Sequence, residues 1–138
     1  MNRPLLSTTS DSDRAAFVTR LGREMAGPVM DDRFTLGRYA TDASIYQIIP
    51  RAVAFPETEE DVCAALQVAA EHGVPVIARG GGTSQNGQPI GDGLVLDFSR
   101  HFNELISFDA DARTAEVRPG MVLERLNTRL RPSAGLIA

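Results

Sequence analysis

One stretch of the sequence groups residue types that hold an anion. It reads Arg79-Gly80-Gly81-Gly82-Thr83-Ser84-Gln85-Asn86-Gly87. Successive glycines allow backbone N–H groups to converge, and they let a bulky anion approach without meeting a Cβ atom. The side chains of Thr83, Ser84 and Gln85 add hydrogen-bond donors, and Arg79 adds a positive charge. The stretch therefore predicts a phosphate or pyrophosphate site, with a mobile surface loop as the alternative.

The register of this stretch differs from the common phosphate motifs. Gly82 and Gly87 have the P-loop glycine spacing, but Gln88-Pro89 stands where that motif needs a lysine and a hydroxyl residue. In the Rossmann pattern Gly-x-Gly-x-x-Gly, the third glycine position would fall on Gln85. No Gly-x-Ser-x-Gly nucleophile elbow occurs in the sequence. The stretch therefore predicts a phosphate cradle of another kind.

Composition narrows the classes of protein to which the chain can belong. Its 138 residues are 43% hydrophobic and 23% charged, which is typical of one folded domain rather than a disordered chain. The formal net charge of -4 argues against a dedicated nucleic-acid binder. No apolar run approaches the roughly 20 residues needed to cross a bilayer. The N-terminus carries no apolar secretory core, so we expect no signal peptide.

Counts of three residue types exclude further chemistry. Cys63 is the only cysteine, so no intrachain disulfide can form and a reducing compartment is expected. With His72 and His101 it leaves too few ligands for a Cys/His zinc site, and we predict no metal site. All 14 basic residues are arginine. The chain therefore has neither a Schiff-base lysine nor a phosphate-binding lysine.

The elements before the glycine-rich stretch follow from periodicity. Ser10 is a helix N-cap candidate, and the helix after it ends at Gly27-Pro28, with an apolar face of Phe17, Leu21 and Met25. Residues 28–50 are less regular, and residues 38–47 are interpreted as a loop or short helix. Residues 52–55 form a short apolar run that predicts a buried strand.

A strand–helix–strand unit brings the chain to the glycine-rich stretch. Thr58 begins a capped helix, Gly73 ends it, and the predicted apolar face consists of Val62, Leu66, Ala69 and Ala70. A second strand, predicted as buried, covers residues 74–78 and leads directly into Arg79. Strands joined through a helix are predicted to be parallel.

Three further elements follow the glycine-rich stretch. Leu94 to Asp97 predicts a third strand, and residues 106–109 and 114–118 predict a hairpin. A last helix carries Val122, Leu126 and Leu130 and ends at Pro132. Leu136-Ile137 begins what we interpret as another strand.

Several segments in a fixed order carry a resemblance to a known family. They are residues 39–47 (Tyr-Ala-Thr-Asp-Ala-Ser-Ile-Tyr-Gln), 50–62, 74–84, 93–100 and 117–127. On these motifs the chain resembles the N-terminal part of the FAD-binding domain of the vanillyl-alcohol oxidase/p-cresol methylhydroxylase superfamily. Within that superfamily it is most similar to the D-lactate, glycolate and D-2-hydroxyglutarate dehydrogenase group.

The resemblance implies an α+β fold of the p-cresol methylhydroxylase (PCMH) type. The first subdomain would consist of short parallel strands with helices, followed by the start of a second, antiparallel subdomain. Residues 1–32 would form a tail and helix, and residues 33–138 the N-terminal part of the flavin domain. In the family, the flavin domain continues beyond the segments that match here. The resemblance therefore implies that this chain contains only the first part of that domain.

The resemblance also implies a cofactor and its contacts. In the family, the Arg-Gly-Gly-Gly-Thr-Ser loop wraps the FAD pyrophosphate. The cofactor-binding residues would be Arg79, Gly80, Gly81, Gly82, Thr83 and Ser84, with Gln85 and Gly87 beside them. Some relatives attach FAD covalently through a histidine after the glycines. Thr83 stands at that position here, which implies that FAD is bound non-covalently. Because only the first part of the flavin domain is implied, this chain alone is expected to bind FAD weakly or not at all.

The implied activity belongs to a larger protein. It would be an FAD-dependent oxidoreductase in the cytoplasm, or peripheral at the inner membrane face, that oxidises a small 2-hydroxy acid to a 2-oxo acid. The substrate would bind a downstream domain, and nothing in this chain offers a catalytic residue. The alternatives are a non-catalytic fragment that binds nucleotide or self-associates through exposed strand edges, and a flavin oxidase acting on a sugar or alcohol.

Five other side chains have an interpretation that is either left open or purely structural. Arg38, Tyr39 and Tyr46 either approach the flavin or substrate, or pack on a surface loop. Asp97, at the end of a strand, is interpreted as a turn or cap residue rather than a base. Cys63 is predicted to be a small buried hydrophobe.

Overall fold

The central sheet consists of short strands flanked by helices. The computed structural model describes residues 11–131. In chain order its elements are α1 (Asp11–Glu24), β1 (Val29–Met30), α2 (Arg33–Tyr39), β2 (Ala52–Ala54), α3 (Glu59–Glu71), β3 (Val76–Arg79), β4 (Leu94–Asp97), β5 (Leu105–Asp109), β6 (Thr114–Val117) and α4 (Leu123–Leu130). Helices and strands share the described chain, so the predicted α+β class is confirmed.

Three parallel strands make up most of the central sheet. The strand order is β1-β2-β4-β3, with β1 antiparallel to β2. Leu94 of β4 is paired with Ala52 of β2 on one side and with Val76 of β3 on the other. The parallel strand–helix–strand prediction is therefore confirmed, although β4 lies between the two strands. The prediction that β3 is buried was wrong, because β3 is a half-buried edge strand.

The two faces of the sheet pack against different helices. Ala52 and Ala54 of β2 face a cluster that includes Phe17 and Leu21 of α1 and Val68 of α3. Alternate strand residues, including Val53 and Val95, face a second cluster that contains Leu36 and Tyr39 of α2. Since successive strand side chains point to opposite faces, the fully buried runs of β2 and β4 serve both clusters.

The segment before β2 holds more structure than the sequence predicted. The apolar face of α1 is confirmed, because Phe17, Leu21 and Met25 are buried, whereas the Ser10 cap lies outside the described residues. Residues 28–50 contain β1 and α2, which the sequence interpretation missed. The helix begins after Asp32, whose carboxylate accepts a hydrogen bond from the N–H of Thr35 at 3.0 Å.

Helix α3 has the predicted ends but a different buried face. Thr58 Oγ1 accepts from the N–H of Asp61 at 3.2 Å, and Gly73 adopts the left-handed conformation (φ +62°) just after the helix. The predicted apolar face was wrong in part, because Leu66 is 47% exposed and Ala70 is also exposed. The buried positions are Asp61, Ala65, Val68 and Ala69, whose mostly small side chains let α1 approach. Cys63, predicted to be buried, is exposed.

The C-terminal elements form a second, smaller unit. Strands β5 and β6 pair antiparallel, which confirms the predicted hairpin. Helix α4 follows, with Leu130 buried and Val122 exposed at its N-cap. Pro132 and the strand predicted at Leu136-Ile137 lie outside the described residues. Within residues 11–131, no helix has the length and apolar character of a membrane span.

Candidate functional site

The sheet presents a small cavity at the carboxyl ends of β3 and β4. It has a volume of about 220 Å³ and is lined by Arg38, Tyr39, Arg79, Gly80, Gly81, Asp97 and Ser99. Arg79 and Asp97 are register partners at the last pair of the parallel ladder. Parallel strands bring their carboxyl ends to one edge, so the glycine loop after β3 and the turn after β4 meet there.

The glycine loop leaves a run of backbone donors free. Within residues 11–131, no protein group accepts a hydrogen bond from the N–H groups of residues 81–85. Gly82 has φ +68°, the left-handed conformation that turns successive N–H groups toward a common side. Converging N–H groups of this kind form a concave site for an anion.

The polar side chains of the loop divide into internal and exposed groups. Ser84 Oγ donates to Gln88 Oε1 at 2.9 Å and accepts from the N–H of Asn86 at 3.2 Å, so this hydroxyl supports the loop itself. Thr83 and Gln85 are exposed. A Cβ on Gly87 would lie 3.1 Å from Tyr46 Cδ2. Tyr46 therefore packs beside the far end of the loop.

The guanidinium of Arg79 is held by main-chain carbonyls. Its Nη1 donates to the carbonyl oxygens of Thr41 at 3.0 Å, Pro89 at 3.3 Å and Tyr39 at 3.5 Å. Its central carbon lies 4.9 Å from the centroid of the Tyr39 ring. The side chain thus joins the segment after α2 to the segment after the glycine loop.

A buried pair of side chains forms the floor of the cavity. The hydroxyl of Tyr39 donates to Asp97 Oδ2, and Asp97 Oδ1 accepts from the N–H of Ser99 at 2.7 Å. The second contact is the turn role predicted for Asp97. Burial, together with the hydrogen bond to the Asp97 carboxylate, raises the pKa of Tyr39 to about 12. Tyr39 is therefore a protonated donor at neutral pH.

Replacing Tyr39 with phenylalanine should lower the free energy of unfolding by about 1–2 kcal/mol, because buried Asp97 Oδ2 loses its hydrogen bond. The tyrosine pKa is higher in the folded protein than its ordinary value of 10.0. Its contribution is therefore fully present below pH 10 and lost as the pH rises through about 12. Urea denaturation of both proteins across that range measures the difference.

The matched control is Tyr46→Phe, since Tyr46 is 55% exposed and its hydroxyl makes no hydrogen bond within residues 11–131. We expect its free energy of unfolding to stay within about 0.5 kcal/mol of the parent value. Equal losses in the two variants, or a Tyr39→Phe loss that persists unchanged at pH 12, would contradict the role of the Tyr39–Asp97 bond.

Both histidines lie away from the cavity. His72 is the C-cap of α3 and its ring stacks edge-on with Phe17, which fits the predicted helix-end position. His101 lies in the turn after β4, near Glu57 and Arg118, and does not line the cavity. Among the described residues, no group of three or more His, Cys, Asp and Glu side chains is placed to hold a metal ion.

Sequence reasoning missed one contributor to the site, Pro119, and left the role of another, Arg38, open. The carbonyl oxygen of Pro119 would lie 3.7 Å from a Cβ on Gly80, so the turn after β6 borders the glycine loop. The sequence showed Pro119-Gly120 only as a strand breaker. Arg38 lines the cavity from the last turn of α2, a helix that the sequence interpretation missed. The Asp32 cap signal could have located that helix.

Comparison with known proteins identifies relatives of the chain. Residues 50–138 match the FAD binding domain family. D-2-hydroxyglutarate dehydrogenase of Pseudomonas putida is 38% identical over 109 residues, which cover 77% of this chain and 11% of that protein. A glycolate oxidase subunit of Bacillus subtilis is 36% identical over 104 residues, covering 72% of this chain and 22% of that protein. The chain thus spans only a tenth to a fifth of these relatives.

A solved structure shows the same fold. The chain aligns with p-cresol methylhydroxylase with a TM-score of 0.72 and 16% identity, covering 91% of this chain and 26% of that one. This likeness confirms the predicted PCMH-type architecture. The family match covers residues 50–138, which is more than half of the chain. Both relatives are more than a third identical to the chain over the aligned residues. The chain therefore belongs to the FAD binding domain family of FAD-linked oxidoreductases, as its motifs predicted, and the cofactor of that family is FAD.

Proposed function

We propose that the glycine loop holds the pyrophosphate of FAD. The observation that carries this proposal is the run of free N–H groups at residues 81–85, beside a cavity at the carboxyl ends of parallel strands. The residues proposed to form this site are those of the sequence prediction: Arg79, Gly80, Gly81, Gly82, Thr83, Ser84, Gln85 and Gly87.

The groups present fit a pyrophosphate. A dianionic phosphate is stabilised by main-chain N–H groups and by arginine, so the absence of lysine from the sequence is no obstacle. Thr83 and Gln85 have exposed donors at the rim of the loop. Ser84 acts indirectly, since its hydroxyl is engaged by Gln88 and Asn86. With threonine at position 83, the proposed binding is non-covalent.

We further propose that the chain belongs to a dehydrogenase that oxidises a small 2-hydroxy acid to a 2-oxo acid. The names of the two curated relatives, which cite D-2-hydroxyglutarate and glycolate, support this substrate class. Bound FAD would accept the hydride, while residues of this chain position the cofactor. The boundary between residues 1–32 and 33–138, and a cytoplasmic or peripheral inner-membrane location, remain predictions.

The test is a flavin spectrum of the full protein that carries this chain. We expect absorbance of bound flavin, bleached under anaerobic conditions by one of D-2-hydroxyglutarate, D-lactate or glycolate. A glucose and an aromatic-alcohol arm test the alternative oxidase substrates. A purified protein that contains no flavin, and takes up none when FAD is added, would contradict the cofactor proposal. Bleaching only by the sugar or the alcohol would contradict the substrate class.

The 138-residue chain alone is expected to bind FAD weakly or not at all and to show no turnover. Within residues 11–131 the cavity is lined by no histidine and by a single carboxylate, Asp97, which is engaged by Tyr39 and Ser99. Such a site offers no free base for a hydroxy acid. FAD titration and a D-lactate assay on the chain check this expectation, and measurable dehydrogenase activity would refute it.

A further inference from the structure

Two arginines line the cavity beside the glycine loop, and their surroundings differ. Arg79 begins the loop, at the end of β3, and is partly buried. Arg38 lies in the last turn of α2 and is exposed. The sequence prediction assigned the phosphate charge to Arg79 alone. The contacts of the two guanidinium groups point to a different division of roles.

The Arg79 guanidinium ties together segments that flank the cavity. Its Nη1 contacts the carbonyl oxygens of Thr41 and Pro89, at 3.0 and 3.3 Å, which belong to segments far apart in the sequence. Its flat face lies over the Tyr39 ring. A planar cation with several donors in a fixed arrangement suits such a junction. Turning this group toward a phosphate would break these contacts.

The glycine loop also packs directly on the Arg79 side chain. A Cβ on Gly82 would lie 2.5 Å from Arg79 Nη2 and 3.0 Å from the guanidinium carbon. The backbone turn at Gly82 therefore lies against the guanidinium. Arg79 supports the loop from beneath, so its position determines where the free N–H groups of the loop are presented.

Arg38 has the opposite character. Within residues 11–131 it forms no ion pair or hydrogen bond, and its guanidinium carbon lies 5.8 Å from the centroid of the Phe34 ring, one helical turn earlier. Its charge is therefore available to a ligand in the cavity. The Asp97 carboxylate in the same cavity repels a phosphate, and the positive charge of Arg38 would offset that repulsion.

We propose that Arg79 is a positioning residue for the glycine loop and that Arg38 supplies the cation that contacts the phosphates. The proposal rests on the proposed function, because it assigns roles at the same FAD pyrophosphate site.

The Arg79 half is tested on the flavin-free chain by amide hydrogen exchange. Arg79→Gln should speed exchange at least about fivefold in residues 40–47 and 80–90, because the junction is lost before any ligand binds. Arg79→Lys should show most of the same loss, since an ammonium keeps the charge but cannot reproduce the planar junction. If Arg79→Gln fails to fold, Arg79→Lys decides. Unchanged exchange in the folded variants would overturn this half.

The Arg38 half is tested with ADP, which carries a pyrophosphate, by calorimetry on the flavin-free full protein that carries this chain. Arg38→Gln should weaken ADP binding about fivefold to tenfold and leave amide exchange unchanged. The matched control is Arg33→Gln, in the first turn of the same helix and outside the cavity, which should bind ADP like the parent. Equal affinity of Arg38→Gln and the parent would overturn this half.

The results of these experiments distinguish a failure of this proposal from a failure of the proposed function. If ADP binds to no variant of that full protein, the Arg38 half falls together with the proposed phosphate site, whereas the exchange measurement still decides the role of Arg79. If Arg79→Gln weakens ADP binding without faster exchange, Arg79 is itself the phosphate ligand and the division of roles is wrong.

Discussion

Replacing Gly82 with alanine is expected to lower the free energy of unfolding by about 1–2 kcal/mol, because a side chain at φ +68° strains the backbone. The new methyl group would also lie 2.5 Å from Arg79 Nη2 and force the guanidinium to move. Since the loop rests on that group, its free N–H donors would shift as well. Urea denaturation of the flavin-free chain measures the first effect, and calorimetry of ADP binding to the flavin-free full protein measures the second.

Gly81→Ala is the matched stability control. A Cβ there would meet only the methyl carbon of Thr83, at 3.6 Å, and the φ angle of Gly81 is not positive. We expect its free energy of unfolding to be unchanged, or to rise by about 0.5 kcal/mol through a stiffer unfolded chain. If both alanine variants lost equal stability, the left-handed turn at Gly82 would not be the cause.

A double variant separates the two contributions at Gly82. In an Arg79→Gln background the guanidinium is gone, so Gly82→Ala should cost less than it does in the parent chain. The part that remains is the backbone strain. An undiminished loss in that background would show that Arg79 does not lie against the loop as its contacts indicate.

The central strands could be predicted from the sequence because their environment leaves a simple signal. Residues 52–55 and Leu94 to Asp97 are short apolar runs between turn residues, and both strands are buried on both faces. The edge strand β3 is also apolar, but a run of valine, isoleucine and alanine does not show whether a neighbouring strand covers one side or two. Its partial exposure depends on β4 taking the central position.

The buried face of α3 could not be predicted because its partners are distant in the chain. Helical spacing is compatible with either a Val62–Leu66 face or an Asp61–Ala65–Val68 face. The choice depends on the turn after α1, whose N–H groups bind Asp61. A carboxylate is ordinarily predicted to be exposed to solvent, and no local sequence pattern indicates a partner more than 30 residues away.

In the candidate site, too, the local features could be predicted and the long-range contacts could not. The glycine loop was identified from composition and order, because consecutive glycines are a local feature. The floor of the cavity was not, because Tyr39 and Asp97 are 58 positions apart in the sequence and meet only through the sheet. Arg38 and Pro119 reach the cavity from other elements again. Sequence alone could therefore locate the glycine loop but not the groups that position it.

Asp61 is the buried carboxylate on which the junction of α1, β2 and α3 depends. It is 3% exposed, and its oxygens accept from the N–H groups of Ala26 at 2.7 Å, Glu57 at 2.9 Å and Gly27 at 3.0 Å. Asp61→Ala should lower the free energy of unfolding by about 3 kcal/mol or more, because these donors lose a charged acceptor. Urea denaturation at neutral pH measures this loss, and Glu60→Gln, an exposed neighbour in the same helical turn, should cost almost nothing.

The same carboxylate should make stability depend on acid. Burial by itself would raise the pKa of Asp61, but the N–H groups of Glu57, Ala26 and Gly27 outweigh it and hold the pKa below its ordinary value of 3.8. Its contribution is therefore fully present above pH 3.8 and is lost as the pH falls through the lower folded-state pKa. The stability difference between the parent chain and Asp61→Asn should stay constant from neutral pH down to about pH 3.8, shrink as the pH falls further, and level off below the folded-state pKa. A difference that is the same at pH 2 as at pH 7 would mean that the three N–H groups do not depend on the charge of Asp61.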